Sequence, residues 1–67
     1  MNSIEYIVVF HDHEGLQEEY YYRTSDYARE HFDLFRGAEN ASLYSRIDLV
    51  AYDFSAKEET ILESIEF

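Results

Sequence analysis

The chain has 67 residues, fifteen of them Asp or Glu against five Lys or Arg, for a formal net charge of −10. Seven Tyr and five Phe lift the hydrophobic fraction to 46%, too apolar for a disordered acidic tail. A single domain over residues 1–67 is expected, with a thin core, because a chain this short buries only about 60% of its unfolded surface. The absence of Cys excludes both a disulfide framework and a thiolate metal site.

The charge repels nucleic acid and anionic lipid, so no direct binding of DNA, RNA or membrane is expected. Met1 is followed by Asn2, Ser3 and Ile4 without a basic stretch, and the apolar run Tyr6–Phe10 is far too short to cross a bilayer. These features point to a cytoplasmic protein.

Ile4–Phe10 is β-branched and aromatic, which predicts a strand. Its alternate residues are apolar on both faces, the pattern of a central strand. His11–Gly15 reads as a hairpin loop whose Gly supplies a positive φ, and Leu16–Arg23 as the return strand. Thr24 and Ser25 are candidate N-caps with Asp26 in the first turn, so a helix is expected to start here. Ala28, Phe32 and Phe35 recur at i, i+4 and i+7 as its apolar stripe, and Gly37 is the expected terminator.

After the connection Ala38–Ala41, Ser42–Tyr52 alternates as a strand. Leu43, Ile47, Leu49 and Ala51 fall on one face, and Tyr44, Arg46, Asp48, Val50 and Tyr52 on the other. Asp53–Glu59 is a polar turn. Thr60–Phe67 is read as a last strand with Ile61, Ile65 and Phe67 on one face, although Ser55–Glu58 also fits a helical capping box. The layout is α+β, β-β-α-β-β: an antiparallel sheet with one helix packed on one face. The other face would carry some of Ile7, Val9, Tyr21, Val50, Tyr52 and Leu62 among Glu5, Glu19, Asp48 and Glu66, an apolar and aromatic patch rimmed with acid.

No catalytic or cofactor signature stands out. His11 and His13 flank Asp12 in an H-x-H arrangement, but a metal site needs three or four ligands, and the pair reads as loop histidines. His31 lies beside the helical stripe with no nucleophile to serve, so a hydrogen-bonded structural role is expected. Pairs such as Glu18/Glu19 and Glu58/Glu59 lack the cleft that carboxylate catalysis requires, and strand neighbours face opposite ways. No enzyme, no metal and no cofactor are therefore expected.

What remains is a surface. Exposed Tyr is enriched at interface hot spots, and carboxylates on the sheet face and loops can imitate duplex phosphates, which recur about every 1.7 Å of axis. Asp12, Glu14, Glu18, Glu19, Glu30, Asp33, Glu39, Glu58, Glu59, Glu63 and Glu66 supply the acids for such an array. In size, charge and layout the chain resembles the small acidic inhibitors encoded by phages and mobile elements, of the anti-CRISPR and anti-restriction DNA-mimic type. The resemblance implies a non-enzymatic blocker of a basic nucleic-acid-binding complex, acting in the cytoplasm of a host cell. The expected contact residues are Glu18, Glu19, Tyr21, Asp48, Tyr52, Glu58, Glu59, Glu63 and Glu66. The alternative is a homodimeric adaptor that joins through its uncovered sheet face, with the acidity serving solubility.

Overall fold

A computed structural model describes residues 3–36 and 43–67. Strands β1 (Ile4–Asp12), β2 (Gln17–Tyr22), β3 (Tyr44–Asp53) and β4 (Glu58–Glu66) form one antiparallel sheet, with helix α1 (Ser25–Asp33) between β2 and β3 in the chain. The spatial order is β2-β1-β3-β4. This is the expected α+β layout, and β1 lies inside the sheet as its two apolar faces require.

The edge strands β2 and β4 carry Glu18, Glu19, Glu58, Glu59, Glu63 and Glu66. Charged edges resist pairing with a foreign strand, so part of the acidity protects the fold itself. Each hairpin is set by an Asp. Asp12 accepts hydrogen bonds from the backbone N–H of Glu14 and Leu16, both at 2.9 Å, and Gly15 takes φ +89°. Asp53 accepts from Ser55 and Ala56, with Lys57 in the left-handed region at φ 54°.

Thr24 caps α1 in extended geometry, and its hydroxyl accepts from the Tyr27 N–H. Ala28 and Phe32 are fully buried over Val8, Phe10, Ile47 and Leu49, with Tyr6, Tyr22, Phe35, Tyr44 and Ile65 packed around them. The Phe10 ring meets Phe35 edge-on at 4.9 Å and Tyr20 at 5.5 Å. On the other flank of the helix, Arg29 and Arg36 both reach Glu63 of β4. Gly37 and the connection Ala38–Ala41 lie outside the described residues.

Two bulges alter the expected faces. His11 pairs with Arg46 and Asp12 with Tyr44, so Ser45 is an extra residue in β3. Tyr44 thereby leaves the face of Val50 and Tyr52 and packs on Phe10 and Phe35 under the helix. The Ser45 hydroxyl donates to the His11 carbonyl at 3.2 Å, occupying the irregular backbone. Likewise Leu49 pairs with Glu63 and Val50 with Ile61, leaving Leu62 over. Ile61 therefore does not share a face with Ile65; it crosses to the side away from the helix. Leu43 is also corrected: it precedes β3 and is exposed.

Candidate protein-docking face

The sheet face away from α1 follows from the pairing register as four cross-strand rows, each read from β2 to β4. The first is Gln17, His11, Arg46 and Glu66. The second is Glu19, Val9, Asp48 and Ser64. The third, Tyr21, Ile7, Val50 and Ile61, is apolar across all four strands. The fourth, which starts on β1, is Glu5, Tyr52 and Glu59. An apolar band thus crosses the sheet, with Tyr21 and Ile61 more than half exposed at its ends and Val50 buried at its centre. Carboxylates stand above and below it.

Asp48 organises the polar side of this face. Although no element among the described residues covers the strands here, it is only 3% exposed. The Ser64 hydroxyl donates to its Oδ1 at 2.6 Å, and His11 Nε2 lies 2.8 Å from its Oδ2. Arg46 Nε is 3.1 Å from Oδ1, but its N–H is not aligned for a hydrogen bond, so this contact is one of charge. A carboxylate held by His11 of β1, Arg46 of its own strand and Ser64 of β4 ties three strands in register. Ser, His and Asp are the residue types of a hydrolytic triad, yet here the carboxylate stands between the other two. No hydrogen bond joins Ser64 to His11, so the three are not arranged as a serine nucleophile with its imidazole base.

Tyr21 donates its hydroxyl to Glu19, two residues along the same face. That hydrogen bond is the main reason its phenol sits above its ordinary pKa, with burial and the charges of Glu19 and Glu5 adding to it. Tyr20 does the same with Glu18 on the opposite face. Each pair presents an aromatic ring with a carboxylate at its hydroxyl end.

The expected contact residues divide between the two sides. Glu19, Tyr21, Tyr52, Glu59 and Glu66 do share the uncovered face. Glu18, Glu58 and Glu63 belong to the helix side, where Glu63 is held below the usual carboxylate range, chiefly by its hydrogen bond from Arg29 and next by that from Arg36. Asp48 is on the right face but buried in its own network. The expected set missed the weight of Ile7, Val50 and Ile61 and the acid Glu5. Ile7 and Val50 stand in the alternation, whereas Ile61 reaches this face only through the bulge.

His31 is half-buried among the rings of Phe10, Tyr20, Tyr22 and Phe35, and its Nδ1 makes a 2.7 Å hydrogen bond with the Tyr22 hydroxyl. Burial lowers its pKa. Among the described residues no group of three or more His, Cys, Asp or Glu is arranged to hold a metal ion, and no helix is long and apolar enough to cross a membrane.

No family model matches the chain, and neither characterised proteins nor solved structures give a match.

Proposed function

We propose that the chain is a non-enzymatic cytoplasmic protein-binding module. It sets its uncovered sheet face on a Lys/Arg-rich surface of another protein, of the kind that otherwise holds nucleic acid, and blocks that surface. The observation that carries this reading is the apolar row Tyr21–Ile7–Val50–Ile61 flanked by Glu5, Glu19, Glu59 and Glu66. An apolar centre with a charged rim is the anatomy of a protein interface, and a net charge of −10 selects a basic partner through steering and rejects an acidic one.

The same geometry bears on how the acids act. The molecule is 39 Å long, a length over which a duplex presents roughly twenty phosphates. Four carboxylates with Asp48 buried among them do not match such an array, and the other described acids lie on the helix side, the edges and the turns. Recognition by an apolar band with an acidic rim therefore fits these residues better than replication of a phosphate ladder. The same face turned on a second copy of the chain would set acid against acid.

The test uses Ile7→Asp and Tyr21→Ala, with Asp26→Asn as a control on the helix. The wild-type chain should retain a basic protein from lysate, release it at high salt and lose it to added duplex DNA, while both face variants retain none and the control behaves as wild type. Retention that the face variants leave intact would refute the reading, and so would a salt-resistant dimer that the face variants dissociate.

A further inference from the structure

On the opposite side of the sheet, the edge of β2 and one flank of α1 enclose an open groove of about 330 Å³ lined by Tyr22, Tyr27, Glu30, His31 and Leu34. Its helical members recur at i, i+3, i+4 and i+7, so one flank of α1 points into it. The volume lies at the low end for ligand sites, about 300–1,000 Å³, and suits a single side chain. Tyr27 and Leu34 form its rim at 67% and 70% exposure, and the core does not use them.

We infer that this groove receives one arginine side chain of a partner protein. Aromatic walls and a carboxylate are the two surfaces a guanidinium prefers, since it stacks flat on a ring and pairs with a carboxylate through its fork. The chain places a guanidinium on a ring elsewhere, with Arg36 Cζ 5.6 Å from the centre of the Phe32 ring.

No lysine or arginine is among the residues that line the groove, and Arg23, next to Tyr22 in the chain, lines a separate hollow with Ser3, Ile4, Glu5 and Phe54. Arg29 on the helix and Arg36 just beyond it turn away to Glu63, and Arg46 is spent on Asp48 on the far face. Among the described residues no ion pair joins Glu30 to a basic side chain. His31, whose pKa burial lowers, presents a neutral ring at neutral pH. Arginine is preferred to lysine because the ammonium group holds its water more tightly and does not stack. This site does not depend on the docking face; the two lie on opposite sides of the sheet and are tested by different probes.

The experiment is an NMR titration of the full chain with N-acetyl-arginine amide, with N-acetyl-citrulline amide as the neutral isostere. Arginine should shift the resonances of Tyr22, Tyr27, Glu30, His31 and Leu34 together along one saturating curve, and citrulline should not. Tyr27→Ala and Glu30→Gln, both at exposed positions, should each weaken binding by about two- to fivefold. Equal response to citrulline, shifts scattered over the carboxylates at large, or variants that titrate as the wild type does would each overturn the assignment.

Discussion

Arg29 Nη1 of α1 lies 2.8 Å from Glu63 Oε1 of β4, a contact made across the sheet's edge between residues 34 apart in sequence. Arg36 holds the other carboxylate oxygen. One acid thus ties both arginines of the helical segment to the strand that α1 otherwise touches least. Because the ionised form of Glu63 is favoured in the folded state, the folded chain binds its proton less readily than the unfolded chain. The stabilisation is present above the ordinary carboxyl pKa and is lost as pH falls through the lowered folded value. Glu63→Gln should therefore melt at a lower temperature than the wild type at pH 7, with the gap closing under acid conditions. Melts across that range check it; a gap that stays constant to low pH contradicts the pairing.

Fifteen carboxylates against five basic residues repel one another in the compact state. Salt also weakens the Glu63 pairs, but these are few and partly exposed, whereas the repulsion involves most of the surface. Thermal stability should accordingly rise from low to moderate ionic strength. Unfolding followed by circular dichroism in dilute buffer and in about 0.5 M NaCl, where screening reaches within a few ångströms, decides the sign.

His31 gives a second pH signature. Its folded pKa is lowered by burial, so the unfolded state takes up the proton first as pH falls below about 6.5. Its contribution to stability is intact above that value and declines between there and the folded pKa. An NMR titration should give His31 a midpoint below that of an unstructured histidine, and His31→Gln should flatten the slope of stability with pH over the same interval. A midpoint above the ordinary value would contradict the buried, neutral ring.

The core leaves little margin. Phe32 is fully buried, and Phe→Ala at such a site costs about 3–5 kcal/mol. A chain of 67 residues has roughly 3–10 kcal/mol in all. Phe32→Ala should lose cooperative unfolding near physiological temperature, while Leu34→Ala, two positions away and exposed, should stay within about 0.5 kcal/mol of wild type. Calorimetry on the two variants separates them.

Much of this fold is legible in the residues. Ile4–Phe10 is apolar on both faces because it lies between two strands, and Ala28 with Phe32 marks the buried flank of the helix. The uncovered face follows from one helix being too narrow to cover two sides. What alternation cannot show is where an extra residue enters a strand. Ser45 and Leu62 each shift the count by one, and so strict alternation puts Tyr44 and Ile61 on the wrong faces. The burial of Asp48 carries a fainter signal: Arg46 and Asp48, two apart in a central strand, share a face, and an acid inside a sheet needs such a partner. Its other partners, His11 and Ser64, come from strands whose register only the folded chain fixes. The groove beside α1 is visible as the spacing Tyr27, Glu30, His31, Leu34, but without Tyr22 from β2 it has no second wall.

The central claim is that the uncovered sheet face meets a basic partner. A photo-crosslinking amino acid placed at Tyr21, and in a second variant at Thr60, exposed on the helix side of β4 and remote from the groove beside α1, tests it directly when adducts formed in cells are mapped by mass spectrometry. Adducts are expected from position 21 on the Lys/Arg-rich nucleic-acid surface of another protein, and far fewer from position 60. Adducts from position 21 that join only to second copies of this chain, or that match those from position 60, would contradict it.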